Sequence, residues 1–156
     1  MKMTASLIVT ITILSIVSGF GIFEYSRLNE LKRTAPKYEV VDDRGQASLR
    51  ALDIAFEVNG AVRGSEGLSN SIYLPFNESI VVLVKIPYGE LKVNNFIAYI
   101  SDNGVPVLHR LIKKTDEGWV AQGDNNRIED STLVTKLNYL GKLHEPIITW
   151  KGALIK

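Results

Sequence analysis

Three short stretches of this chain of 156 residues carry side chains able to do nucleophilic or acid–base chemistry. The first is Leu68-Ser69-Asn70-Ser71-Ile72-Tyr73-Leu74-Pro75, which precedes a long apolar run. A serine at the mouth of a strand can expose its hydroxyl, and backbone amides beside it can point at a developing oxyanion. Serine and asparagine are equally at home in an ordinary turn. The second stretch is Val105-Pro106-Val107-Leu108-His109-Arg110-Leu111-Ile112. His109 there is either a hydrogen-bonded structural residue or a base poised near neutral pH. Arg110, one residue on, points to the opposite face of the strand and reads as structural. The third stretch is Gly123-Asp124-Asn125-Asn126, with Asp130 six residues after Asp124. On general grounds this is a turn whose Asp and Asn side chains bond nearby backbone. A two-metal centre is excluded, because the further histidine and aspartate clusters it needs are missing.

Composition removes several classes of function. The chain has no cysteine, so disulfides, thiolate metal sites and a cysteine nucleophile are all ruled out. His109 and His144 are its two histidines, too few for a histidine-rich metal centre, and no cofactor is expected. A formal charge of +1 supplies no basic face for nucleic acid.

The elements that must position these residues read as mostly β. Ile80 to Ile86 is an apolar run with Lys85 near its end, as for a strand buried on both faces. Phe96 to Ile100 is predicted as a second strand, Asp102-Asn103-Gly104 as a hairpin turn, and Val105 to Ile112 as the returning partner. Lys113 to Gly118 then turns into Trp119-Val120-Ala121. Leu133-Val134, Asn138 to Leu143 and Ile147 to Trp150 add short strands. Earlier in the chain, Asp42-Asp43-Arg44-Gly45 signals a turn, and Gly60, Gly64 and Gly67 mark others. Ala47 to Val58 fits a helix start that changes into an alternating strand. A folded-over barrel or a pair of sheets is the expected architecture of residues 47–156.

Ahead of that domain, residues 4–23 contain no charged side chain. At 1.5 Å per residue such a span reaches roughly 30 Å, the thickness of a bilayer's hydrocarbon core. A transmembrane anchor is expected there, after a short tail of residues 1–3. A buried helix and a cleaved signal peptide are the competing readings, the latter because Lys2 precedes the run and Ser18, Gly19 and Gly21 follow it. Residues 24–46 are expected to be a stalk or linker, helical from Glu24 and ended near Pro36. Counting only Lys and Arg, Arg27, Lys32 and Arg33 against Lys2 place the N-terminus outside.

Taken together, the three stretches resemble the signal peptidase I family of the endoplasmic-reticulum and archaeal type. Its members carry Leu-Ser-Gly-Ser-Met-x-Pro, then Ile-Pro-Ile-Val-His-Arg-Val, then Gly-Asp-Asn-Asn with a further Asp. Leu140-Gly141-Lys142-Leu143 is similar to the family's closing Val-Gly-Arg-Ala, and the likeness covers residues 68–143. This chain departs from the pattern at Asn70 for Gly, at Ile72 for Met, at Pro75 four residues after Ser71, and at Asn94-Asn95 for Gly-Asp. The resemblance implies a folded-over β fold behind one N-terminal transmembrane helix, in a single-pass membrane protein with an extracytoplasmic catalytic domain. That is the orientation opposite to the charge count. It implies a serine endopeptidase that cleaves signal peptides from preproteins: Ser71 as nucleophile, His109 as general base, Asp130 orienting it, and Asp124 as second candidate or turn residue. Ser69 and the Ser71 amide would form the oxyanion hole. The implied partners are preprotein substrate, the bilayer and further membrane subunits. A lysine-dependent variant would use Lys85, only fourteen residues from Ser71. Two rival readings are a catalytically inactive, membrane-tethered accessory domain and a processing peptidase for one dedicated substrate.

Overall fold

Asp43 sets where the helix of the β-rich unit begins. Its carboxylate accepts the Gln46 amide at 3.0 Å, while the Gln46 side chain reaches back to the Asp42 amide at 3.4 Å. This reciprocal cap satisfies amides that a helix start otherwise leaves unpaired. Asp42 to Gly45, expected as a turn, therefore opens helix α2 (Arg44–Val58), in a computed structural model that describes residues 25–66 and 78–153. Helix α1 occupies residues 25–33 and belongs to a separate compact unit, residues 1–35. Arg33 pairs with Glu30 on its surface, and Glu30 O accepts from Thr34 at its end. The expected membrane span, residues 4–23, lies outside the described residues. Among the described residues no helix is long and apolar enough to cross a membrane.

The second unit starts at Pro36. Strand β1 (Tyr38–Val41) pairs in parallel with the end of β7 (Tyr139–Trp150). The linker expected up to residue 46 therefore ends earlier, because these residues belong to the sheet. The reading of Ala47 to Val58 as part strand is also corrected. Helix α2 is continuous and buries Ala47, Ala51, Ile54 and Ala55 at helical spacing against Ile80, Val82, Ile148 and Trp150. The alternation that suggested a strand, Leu52, Ile54 and Phe56 after Leu49, mixes the buried Ile54 with three residues that the helix leaves on its solvent side. Asn59 ends α2 in the left-handed conformation, and Gly60 follows where a Cβ would sit 2.7 Å from Val82 Cγ1.

The remaining strands are β2 (Ala61–Glu66), β3 (Glu78–Val84), β4 (Phe96–Ile100), β5 (Pro106–Lys114) and β6 (Trp119–Gln122). Gly64, expected in a turn, lies inside β2. The strands form one seven-stranded sheet in the order β2-β3-β7-β4-β5-β6, with β1 also on β7. Every pairing is antiparallel except β1 with β7, and the sheet does not close into a barrel. The two terminal strands expected from the sequence are one: β7 meets β4 through its first half and β1 through its second, while β3 runs along its other side. Leu133-Val134 contributes a single bridge, Val134 to Trp119.

Alternation along β4 and β5 divides the core. Phe96, Ala98 and Leu108 join Val81, Leu83, Leu143 and Ile147 on one face. Ile97, Tyr99 and Leu111 join Trp119, Ala121, Val134 and Tyr139 on the other. Each fully buried aliphatic side chain contributes about 1.5–3 kcal/mol. The β4–β5 hairpin closes as expected, with Gly104 at φ 75° and its amide donating to Ser101 O at 2.8 Å.

Candidate active site

Strand β5 presents His109 and Arg110 in succession, so their side chains leave on opposite faces of the sheet. His109 lies opposite Ile97 of β4, and Tyr99 lies opposite Val107. Tyr99 and His109 are thus diagonal neighbours on one face, with Cβ atoms separated by roughly 7–8 Å for such pairs. A long side chain can cover that distance.

The segment after β6 brings a carboxylate to the same place. It opens with the expected turn, Gly123 O accepting the Asn126 amide at 2.9 Å, and the Gln122 side-chain amide donates to Asn126 O at 2.7 Å. Asp130 is tied by its own amide to Ala121 O at 2.8 Å. Thr132 Oγ1 accepts the Asp102 amide at 3.0 Å, fastening the segment to the hairpin tip. The segment then returns to β6, where Trp119 and Val134 exchange both backbone hydrogen bonds.

These restraints place Asp130 Oδ2 2.6 Å from His109 Nδ1 and 2.8 Å from the Tyr99 hydroxyl, which donates to it. A carboxylate oxygen offers lone pairs only, so Nδ1 carries the proton of this bond. In the neutral ring Nε2 is then the basic nitrogen, and among the described residues it makes no hydrogen bond. The His109 and Asp130 side chains are 10% and 14% exposed, shielded from bulk water yet not sealed from it. Burial, then the Asp130 hydrogen bond, push the Tyr99 hydroxyl far above the ordinary tyrosine range. It remains a donor. Chemically, the set is an imidazole fixed in one tautomer, with a second, basic nitrogen and a carboxylate to stabilise its cation.

Asp124 does a different job. Its two oxygens accept from Arg110 Nε and Nη2, both at 2.7 Å, in a side-by-side pair with 1% and 3% side-chain exposure. The Arg110 guanidinium also lies 4.3 Å over the Phe96 ring. Histidine and arginine, adjacent in sequence, thus take one aspartate each from the same segment, on opposite faces of the sheet. Lys85 is held at the start of β7, where its ammonium donates to Tyr139 O at 2.7 Å and sits 4.5 Å over the Tyr139 ring. Among the described residues no cluster of three or more His, Cys, Asp or Glu could hold a metal ion.

Ser69 and Ser71 lie outside the described residues, in the connection between Glu66 of β2 and Glu78 of β3. Of the expected catalytic residues the structure therefore describes His109 and Asp130, and brings them together. Tyr99 was not singled out by motif. The signal for it was the strand register, since alternating strands paired across the three-residue tip Asp102-Asn103-Gly104 put Tyr99 on the face of His109. Asn94, which stands where the resembled family has glycine, adopts φ 71°, a conformation asparagine tolerates better than most residues. No protein-family model, curated protein or solved structure matches this chain.

Proposed function

We propose that this chain is a membrane-anchored serine endopeptidase of the signal-peptidase type, acting on the signal peptides of preproteins. In this reading residues 4–23 span the bilayer, the catalytic domain is extracytoplasmic, and the open sheet is the folded-over sheet of that family. Ser71 Oγ attacks the carbonyl carbon of the scissile bond while His109 Nε2 takes its proton. The Ser71 amide and the Ser69 hydroxyl hold the oxyanion. The imidazolium then gives its proton to the departing amine, and water, activated by the same nitrogen, releases the acyl group from Ser71. Asp130 keeps Nδ1 protonated and stabilises the ring's positive charge. Anchor and substrate share one membrane, which raises their effective concentration without new contacts.

The observation that carries the reading is the 2.6 Å pairing of Nδ1 with Asp130, which leaves Nε2 without a partner among the described residues. The test is incubation of the detergent-solubilised full chain with a preprotein. Cleavage at the signal-peptide junction should vanish in Ser71→Ala and in His109→Ala, both with unchanged circular dichroism. An unsubstituted chain that leaves the preprotein intact points to the inactive accessory domain. Turnover retained in Ser71→Ala removes the nucleophile assignment.

A further inference from the structure

We infer that Tyr99 is a positioning residue of this site, its hydroxyl clamping the Asp130 carboxylate so that Oδ2 stays aimed at His109 Nδ1. The inference rests on the reading of His109 as the base and adds to it how the orienting carboxylate is itself held.

Asp130 comes from an extended segment, and its backbone amide bond to Ala121 O fixes the main chain without fixing the two side-chain torsions. The imidazole alone would have to set them, although it must also swing slightly as it gains and loses charge. Tyr99 supplies an independent reference. It is 1% exposed, in the strand flanked by both β5 and β7, and its ring packs in the core with Leu111, Trp119 and Val134. Its oxygen therefore has little freedom, and its single proton points at the same Oδ2 that takes Nδ1. An oxygen held from two directions, by a rigid hydroxyl and by the base, cannot rotate away when the ring tilts.

The surrounding charges are few. Asp130 faces the hydroxyl from the segment after β6, and Asp102 acts on it from the hairpin turn. Arg110 and Asp124 neutralise each other on the opposite face of β5. Lys113 and Glu129 pair at the exposed outer end. The Tyr99 hydroxyl, neutral at any working pH, thus tempers the Asp130 charge felt by the imidazole. Its removal makes the imidazolium more favourable.

The test substitution is Tyr99→Phe, which keeps the ring and its packing. The full chain in detergent is labelled at histidine, and the ring nitrogens of His109 and His144 are followed through pH by nuclear magnetic resonance. The His109 midpoint is expected to move up by about 0.5 pH unit, about 0.7 kcal/mol, with His144 unmoved as internal control. The acid limb of preprotein cleavage should move by the same amount, and kcat should fall by about tenfold at constant KM. In an Asp130→Asn background Tyr99→Phe should no longer move His109, because the effect passes through the carboxylate. Wild-type cleavage with a His109 midpoint unchanged by Tyr99→Phe overturns the Tyr99 assignment and leaves the peptidase reading standing. A moved midpoint in a chain that cleaves nothing upholds the clamp and overturns the peptidase reading. Should Tyr99→Phe fail to fold, the Tyr99 hydroxyl of the unsubstituted chain decides: a hydroxyl-proton resonance that Asp130→Asn leaves unmoved refutes the clamp, and one that Asp130→Asn shifts supports it.

Discussion

Replacing Asp124 with alanine should cost more stability than replacing Asp130, although both aspartates pair with neighbouring residues of one strand. Arg110 and Asp124 are 1% and 3% exposed and joined by two hydrogen bonds at 2.7 Å. Removing one partner of a buried ion pair costs about 3–5 kcal/mol, because the remaining charge has been taken out of water. Against a total of about 5–15 kcal/mol for a typical domain, that is a large share. With a urea slope of about 1.5 kcal/mol per molar, the unfolding midpoint should fall by roughly 2–3 M. Asp130→Ala removes the hydrogen bonds from the imidazole and from the Tyr99 hydroxyl at a partly wetted site, which at about 1 kcal/mol each is roughly 2 kcal/mol. Urea titration of the detergent-solubilised chain, followed by the fluorescence of Trp119 and Trp150, measures both. Equal losses in the two variants would refute the division into one structural and one functional carboxylate. A matched apolar pair, Arg110→Met with Asp124→Leu, should recover most of the loss, since a buried ion pair stabilises little over a well-packed apolar replacement.

Asp130→Asn is expected to lower preprotein turnover by orders of magnitude while the urea midpoint moves little; normal rates would transfer the orienting role to another group. Gly118→Ala should destabilise the chain by about 1–3 kcal/mol, because its Cβ would sit 2.7 Å from Val134 O and force apart the bridge that returns the Asp130 segment to β6. A crystal structure or urea titration of that variant with no change would show that the bridge tolerates the methyl group. Burial raises both Tyr99, strongly, and Tyr139 above the ordinary tyrosine value, so the folded chain binds their protons more tightly than the unfolded chain does. Stability from these groups is fully present below about pH 10 and is lost as pH rises further, at about 1.4 kcal/mol per pH unit for each. Tyr99→Phe should therefore flatten the alkaline limb of stability by about one such increment, and an unaltered limb would mean that Tyr99 ionises freely in the fold.

How much of this was legible in the sequence depended on where the energy comes from. Strands β3, β4 and β5 were legible because period-two and continuous apolar patterns reflect burial on one or both faces, which the local sequence carries by itself. Helix α2 was misread for a physical reason: its buried face is three alanines and Ile54, while Leu49, Leu52 and Phe56 face outward, so most of the hydrophobicity pointed away from the core. The union of the last strands into β7, and the parallel docking of Tyr38–Val41 on it, depend on contacts between residues more than a hundred positions apart. No window of sequence contains them.

The site shows the same division. Motif and residue type singled out His109 and Asp130 as candidate chemistry and left open whether Asp124 or Asp130 serves the histidine. Alternation along β5 resolves that choice. A strand that must bury an arginine needs a carboxylate on the face that arginine enters, and the turn at Asp124 supplies it. Six residues later the chain has crossed to the face of His109, where Asp130 meets the imidazole and the Tyr99 hydroxyl together. Because adjacent side chains on a strand point oppositely, the two aspartates cannot exchange partners without turning the strand over. The pairing of a histidine with an arginine beside it therefore fixes which carboxylate holds the guanidinium and which meets the imidazole.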